Sequence, residues 1–336
     1  MSKVLSYLVI WLYLIVFSPI SWAQNKPNEP KNKNPEQEEI IKVETTLVNI
    51  PIVASGKDGQ YIRDLKQEDF LVYENGAKQE IELFSTETVP ISVVLLIDMS
   101  TSTRYNSQAL KRAAKAFIEN TRPSDKVKLI SFTYNINELT DFTDNKEILN
   151  QTIDKLNLGG STRLHDAVEY VARVIFNKVE GRKALIVLTD GVDSSSYLSP
   201  QLAIRELVET STITYVVKYP VDSLPTYPGY LLPVSYVSSK ASIINTYNYD
   251  KPLDFLKELT EQTGGAIVVA PSFSSLVEKM KNVAEQLRHI YSIGYYPSNA
   301  IENGGYRKIE IKLRNRKASL RYKKGYDAHA LIDLKQ

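Results

Sequence analysis

A carboxylate and two hydroxyls follow an aliphatic run in the first half of the chain. The run covers residues 93–97, and Asp98, Ser100 and Ser102 come directly after it at alternate positions. An unbroken Val/Leu/Ile run is typical of a strand that is buried on both faces of a parallel sheet. Open α/β sheets bind their ligands beyond the carboxyl ends of the strands. Aspartate and hydroxyl oxygens are hard donors, which suit Mg²⁺ or Ca²⁺ better than zinc or copper.

Two later segments carry similar chemistry. Residues 184–188 form a second aliphatic run that ends in Thr189 and Asp190, and the glycine-led segment 159–162 delivers Thr162 at the start of a helical pattern. Any one of these residues alone is more commonly a helix N-cap or a turn residue, because Asp, Ser and Thr are favoured at both. Their joint occurrence, in order and at predicted strand ends or loops, favours a shared metal site.

The combined pattern resembles the von Willebrand factor A (VWA) domain, whose metal-ion-dependent adhesion site (MIDAS) has the motif Asp-x-Ser-x-Ser, a loop threonine and an aspartate that closes a strand. The resemblance implies a metal-binding set consisting of Asp98, Ser100, Ser102, Thr162 and Asp190. It also implies that the hydroxyls mostly coordinate directly, that the aspartates often act through water, and that a partner protein supplies a carboxylate at an open position. The metal would be Mg²⁺, or Mn²⁺ or Ca²⁺, and it would bridge two proteins without catalysing a reaction.

Two other classes of function stay open at this point. A hydrolase could use His165 and Asp166 with Ser161 or Ser100 as nucleophile, although the chain contains no Gly-x-Ser-x-Gly elbow, His-Glu-x-x-His motif or P-loop. A structural component of the cell envelope could keep the fold without using the metal. Asp166 follows Thr162 within about one helical turn, and it is either an acceptor behind the metal ligands or a first-turn acid favoured by the helix dipole.

The composition and the first residues of the sequence limit which kinds of partner and which cellular compartment are expected. The chain has 336 residues, a formal net charge of +2 and no cysteine, which excludes disulfides and thiolate metal sites and argues against nucleic acid as a partner. Residues 1–23 are predicted to be a secretory signal peptide cut after Ala23, since an apolar run follows Lys3 and small residues precede the cut. The mature protein is predicted to be secreted or periplasmic, with no transmembrane span.

The order of the elements predicts an α/β fold: a doubly wound, mainly parallel sheet flanked by helices, Rossmann-like as in a VWA domain, plus a small all-β module. The predicted division is a disordered linker at 24–39, an N-terminal β module at 40–90, the VWA domain at 91–290, a C-terminal β hairpin at 291–327 that packs with the β module, and a tail at 328–336. A Tyr- and Pro-rich insertion at 220–250 interrupts the VWA domain and is interpreted either as a partner-binding loop or as a variable surface segment.

Local patterns support three further expectations. The flanking β segments resemble those of the bacterial VWFA-related group first noted in Acidobacteria, through Tyr-Ser-Ile-Gly-Tyr-Tyr-Pro at 291–297 and Lys-Lys-Gly-Tyr at 323–326. An Asn-Gly pair at 75–76 predicts a hairpin in which strand 70–74 pairs with 81–85. Apolar residues at helical spacing predict one long helix over 164–179.

Overall fold

The computed structural model describes residues 47–86, 89–104, 106–220, 252–298 and 305–328, with only the backbone of residues 102 and 252. The predicted signal peptide, the linker and nearly all of the insertion predicted at 220–250 lie outside these ranges. Within these ranges, no helix is both long enough and apolar enough to cross a membrane.

The described residues form strands and helices that alternate through the middle of the chain. The strands are, in chain order, β1 (Val48–Ser55), β2 (Phe70–Glu74), β3 (Ala77–Gln79), β4 (Leu83–Ser85), β5 (Ile91–Asp98), β6 (Lys126–Phe132), β7 (Ile136–Glu138), β8 (Arg182–Thr189), β9 (Ile213–Lys218), β10 (Ala266–Val269), β11 (Ile290–Tyr295), β12 (Tyr306–Leu313), β13 (Ser319–Tyr322) and β14 (Gly325–Asp327). The helices are α1 (Ser107–Glu119), α2 (Lys146–Asp154), α3 (Leu164–Tyr170), α4 (Pro200–Glu209), α5 (Pro252–Thr263) and α6 (Leu276–Leu287).

The central sheet has the strand order β10-β9-β8-β5-β6-β7. Neighbouring strands are parallel except for β7, which pairs antiparallel with β6 at one edge. Strands β5 and β8 are buried along nearly their whole length, because α1, α2 and α6 cover one face of the sheet and α3, α4 and α5 cover the other. This arrangement accounts for the aliphatic runs in the sequence and confirms the predicted doubly wound α/β class.

Two smaller sheets, ordered β13-β1-β11-β4 and β14-β12-β2-β3, form an antiparallel sandwich. Side chains from both sheets meet in one apolar core, which includes Ile50 and Ile293 from the first sheet and Val72 and Ile309 from the second. The strands come from before and after the central sheet in the sequence, so the predicted all-β module built from both segments is confirmed.

The predicted pairing of residues 81–85 with strand 70–74 is wrong. The hairpin partner of β2 is β3, since Asn75 and Gly76 take φ values of 48° and 84°. Two adjacent residues with positive φ make a two-residue hairpin turn, which sends the residues directly after it back along the strand. The later strand β4 lies in the other sheet of the sandwich and pairs with β11.

The long helix predicted over 164–179 is only partly regular. α3 ends at Tyr170, and the chain continues as a π-helical turn at Val171–Ile175 and a 3-10 turn at Phe176–Lys178. Most of the π turn is β-branched, and such side chains lose freedom against the preceding turn of a regular α-helix. Its apolar side nevertheless packs against the central sheet, as the spacing predicts.

Candidate metal site at the rim of the central sheet

The two candidate carboxylates lie at the carboxyl ends of neighbouring parallel strands. Asp98 is the last residue of β5, and Asp190 directly follows the last residue of β8. These strands are in register, with Ile97 opposite Leu188. Because β6 lies on the far side of β5, the strand order reverses between β5 and β8, and open α/β sheets bind ligands at such a reversal. Both carboxylates are buried.

Backbone hydrogen bonds connect the loop after β5 to the loop before α3. The amide of Gly159 donates to the carbonyl of Met99 at 2.9 Å, and the amide of Thr101 donates to the carbonyl of Gly160 at 3.2 Å. A side chain at position 159 would clash, because its Cβ would lie 2.9 Å from side-chain atoms of Thr133. Glycine at this position therefore allows the loop before α3 to lie close to Thr133, which directly follows β6.

Thr162 is connected in turn to the loop after β8. Its carbonyl accepts hydrogen bonds from the amides of Ser194 and Ser195, each at 3.0 Å. Its amide donates to Oγ of Ser194 at 2.9 Å. The three loops that carry the candidate ligands are thus linked into one rim around Asp98 and Asp190.

The electrostatics of this rim disfavour two bare carboxylates. Burial, and then the negative charge of Asp190, raise the pKa of Asp98 to about 7. Three hydrogen bonds to the Asp98 carboxylate act in the opposite direction: one from the hydroxyl of Ser100, one from the amide of Ser100 to Oδ1 at 3.0 Å, and one from the hydroxyl of Thr189 to Oδ2 at 2.9 Å. A divalent cation between the two carboxylates would offset the part of their mutual repulsion that the hydrogen bonds do not compensate.

Four of the five predicted ligands can be placed. Asp98, Ser100, Thr162 and Asp190 are all buried at this rim, whereas the side chain of Ser102 lies outside the described atoms. Within the described residues, no group of three or more His, Cys, Asp or Glu side chains is positioned to hold a metal ion. The predicted set contains two carboxylates and takes its other donors from hydroxyls, a combination that fits a hard cation. The assignment of these residues as ligands stays a prediction.

His165 and Asp166 occupy the first turn of α3, beside the candidate ligands. Asp166 accepts hydrogen bonds from the amides of Tyr197 and Leu198, both at 3.0 Å, so it fastens the loop after β8. The His165 ring packs edge-on against Phe255, with ring centroids 4.4 Å apart. Burial lowers the pKa of His165, and the nearby charges of Asp193 and Asp166 oppose this shift.

Asp193, an acidic residue that was not identified from the sequence, fixes the start of α3. Oδ1 of Asp193 accepts from the amide of Leu164 at 2.8 Å and from the hydroxyl of Ser196 at 2.6 Å. The Ser196 oxygen also accepts from the amides of His165 and Asp166, at 3.1 and 3.2 Å. The signal in the sequence is the polar run at 193–196, which begins three residues after the predicted strand end at Asp190.

The sequence is similar to one family model and to a bacterial protein. Residues 92–227 match the family model of the von Willebrand factor type A domain. A UPF0353 protein of Mycolicibacterium vanbaalenii is 27% identical over 220 residues, which make up 58% of this chain and 60% of that protein. The chain thus spans only part of that relative.

Similar solved structures include a von Willebrand factor type A protein from Catenulispora acidiphila, with a TM-score of 0.46, 12% identity, and coverage of 84% of this chain and 73% of that chain. They also include proximal thread matrix protein 1 from the mussel byssus, described with a zinc-occupied MIDAS motif. Its TM-score is 0.46 at 17% identity, with coverage of 64% of this chain and 49% of that chain.

Proposed function

On the premise that residues 92–227 of this chain form a von Willebrand factor type A domain, we propose that the protein binds a partner. The partner is another protein, and a divalent metal ion connects the two. The residues that would hold the metal are Asp98, Ser100, Ser102, Thr162 and Asp190. The observation that carries the proposal is the pair of buried carboxylates at the strand-order reversal, where burial, and after it the charge of Asp190, raises the pKa of Asp98 to about 7. A site with that excess of negative charge favours a cation.

The donor chemistry favours Mg²⁺, with Mn²⁺ and Ca²⁺ as alternatives. Mg²⁺ prefers about six oxygen ligands and readily keeps waters among them. Hydroxyls are neutral donors, so a shell made largely of hydroxyls and water leaves the cation attractive to a further anion. A carboxylate from the partner would complete the shell. The metal would then connect two proteins, and the protein would act without catalysis.

The same proposal includes an exported location. Residues 1–23 have the pattern of a cleavable signal peptide, and a secreted or periplasmic protein with no cysteine keeps its fold without disulfides. Sequencing the amino terminus of the protein purified from its native compartment is expected to begin at Gln24. A mature chain that still carries Met1 would contradict the cleavage.

Calorimetric titration with MgCl₂ tests the metal site. Wild type is expected to bind, and Asp98→Ala and Asp190→Ala are expected to lose binding. Asp98→Asn keeps the shape of the side chain and reports on its charge if Asp98→Ala folds poorly. Asp144→Ala removes an exposed carboxylate and serves as the control. Equal Mg²⁺ affinity in wild type and Asp98→Ala would end the proposal.

A partner-binding assay distinguishes metal-dependent adhesion from a structural role in the cell envelope. A double variant, Thr162→Ala with Asp190→Ala, is expected to lose a partner that wild type releases on treatment with EDTA. Retained partner binding in the double variant would favour a structural envelope component that does not use the metal.

A further inference from the structure

An arginine lies between two exposed tyrosines next to the candidate metal site. The guanidinium carbon of Arg163 is 4.1 Å from the ring centroids of both Tyr134 and Tyr197. The two phenol oxygens are 3.3 Å apart. Tyr134 is 48% exposed and Tyr197 is 77% exposed, so each ring covers the arginine with one face and leaves much of its remaining surface to solvent. We call these three residues the Tyr–Arg–Tyr stack.

The stack belongs to the same rim as the candidate ligands. Arg163 directly follows Thr162, and consecutive Cα atoms are about 3.8 Å apart. The amide of Arg163 donates to the carbonyl of Thr133 at 3.0 Å, which anchors it beside the residue that precedes Tyr134. Tyr197 lies on the loop after β8, and its amide is bound by Asp166 at 3.0 Å. Arg163 and Tyr197 therefore come from two of the rim loops, and Tyr134 comes from the turn between β6 and β7 beside them.

The arginine contacts both rings and is itself held by two polar contacts. Its Nε donates to the carbonyl of Ser195 at 3.3 Å and lies 3.7 Å from Oδ2 of Asp166. Side chains that are held in place before binding lose less conformational entropy when a partner packs against them. Tyrosine and arginine are also the residue types that most often dominate the energetics of protein interfaces.

We propose that the Tyr–Arg–Tyr stack selects the partner of the metal site. It fits an acidic protein segment in which the carboxylate that reaches the metal has an aromatic or proline ring within about three positions. The acid is required because the metal and the guanidinium are both cationic. An extended residue spans about 3.3 Å, so a ring at that distance in sequence can lie over the exposed tyrosines. This inference rests on the proposed metal-dependent function.

A selection experiment tests the inference with a defined probe. A phage-displayed library of random linear peptides is selected on the purified protein in MgCl₂ and eluted with EDTA. The same selection is run on a double variant, Tyr134→Ala with Tyr197→Ala, and on Tyr306→Ala, which removes a tyrosine that is 60% exposed in the sandwich. Wild type and Tyr306→Ala are expected to enrich an acidic residue with a ring near it. The double variant is expected to keep the acid and lose the ring.

Affinity measurements on one selected peptide give the size of the effect. Replacing its ring residue with glycine is expected to weaken binding to wild type about two- to tenfold, the range that one aromatic contact contributes. The same replacement is expected to leave binding to the double variant unchanged, because the two changes remove the same contact. Calorimetry with MgCl₂ is expected to show that the double variant binds the metal as wild type does.

The outcomes separate the two proposals. Enrichment of acids without rings, or of rings equally on wild type and the double variant, overturns the role of the stack and leaves metal-dependent binding intact. Failure to recover EDTA-eluted peptides from wild type, or recovery of peptides without acids, overturns the metal-dependent function and this inference with it. A double variant that no longer binds Mg²⁺ assigns the stack to support of the metal site, against a role in selection.

Discussion

The hydroxyl of Thr189 donates a 2.9 Å hydrogen bond to Oδ2 of Asp98, from the neighbouring strand. Oγ1 of Thr189 also accepts a 3.0 Å hydrogen bond from the amide of Gly191. Thr189 is fully buried and directly precedes Asp190. One hydroxyl therefore orients the first candidate carboxylate and also shapes the turn that carries the second.

Replacing Thr189 with valine is expected to weaken Mg²⁺ binding by about tenfold or more, the usual effect of removing a group that orients a metal ligand. The change also removes the acceptor of the buried Gly191 amide and one of the donors to Asp98, at a cost of about 1–3 kcal/mol in the free energy of unfolding. Thr189→Ser keeps the hydroxyl and is expected to keep most of the affinity. Calorimetry gives the affinity, and denaturant unfolding gives the stability. Unchanged affinity in Thr189→Val would show that Asp98 needs no such orientation.

Asp193 is expected to support the metal site through the start of α3. Because its carboxylate accepts from the amide of Leu164 at 2.8 Å, Asp193→Ala is expected to cost about 0.5–2 kcal/mol of stability, as loss of a helix cap does, and to weaken Mg²⁺ binding. Asn145→Ala is the matched control, since Asn145 caps α2 by accepting from the amide of Ile148 at 3.1 Å. The control is expected to lose stability and keep its affinity for Mg²⁺. A parallel loss of affinity in both variants would refute a specific link between Asp193 and the metal.

The central sheet could be predicted because it depends on local patterns. An aliphatic run marks a strand covered on both faces, and an acid at its end is carried to the carboxyl edge of a parallel sheet. Asp98 and Asp190 reach neighbouring strand ends for that reason. Their role as metal ligands is a further step that stays a prediction.

The features that the sequence did not reveal depend on which distant segments meet. The Asn75-Gly76 turn determines the hairpin partner of β2, but nothing near β4 in the sequence indicates that β4 pairs with β11, far along the chain. The bond from Thr189 to Asp98, and the position of Arg163 between two tyrosines, likewise need the packing of the loops to be known. Local propensity does not predict such contacts, because each residue of a contacting pair, taken alone, is an ordinary residue of a strand or loop.

The sandwich contains a buried carboxylate whose removal is expected to be costly. Glu74 forms a 2.6 Å ion pair with Arg307, and the hydroxyls of Tyr295 and Tyr326 each donate to its Oε2 at 2.7 Å. Tyr295 belongs to the other sheet, so this carboxylate connects the two layers. Glu74→Ala leaves a buried guanidinium without its carboxylate and is expected to cost about 3–5 kcal/mol of stability. Glu74→Gln keeps a hydrogen-bond acceptor and is expected to cost less.

An exposed ion pair in the same sandwich provides the comparison. Arg316 and Asp64 are also 2.6 Å apart, with side chains that are 50% and 64% exposed. Water screens such a pair, so Asp64→Ala is expected to leave the midpoint of denaturant unfolding almost unchanged. Equal shifts of the midpoint for Glu74→Ala and Asp64→Ala would show that burial does not distinguish the two pairs.

A buried lysine is expected to make the stability of the protein depend on pH in the alkaline range. Burial lowers the pKa of Lys323 to about 8, and the nearby charge of Glu209 opposes this shift without cancelling it. The Lys323 amine donates a 2.9 Å hydrogen bond to Oγ of Ser211. In the unfolded chain a lysine holds its proton to about pH 10.4. Between these two values the unfolded state binds more protons than the folded state, so this residue makes stability rise with pH.

The expected slope is on the order of 1 kcal/mol per pH unit between about pH 8 and pH 10, and it disappears below about pH 8, where both states are protonated. Tyrosine ionisation adds its own pH dependence, so the quantity to measure is the difference in the free energy of unfolding between wild type and Lys323→Met. That difference is expected to move in favour of wild type as the pH rises, because only wild type loses a buried charge. Lys308→Met removes an exposed lysine of the same sandwich and is expected to show a constant difference from wild type. A constant difference for Lys323→Met as well would mean that the folded protein keeps this amine charged throughout the range.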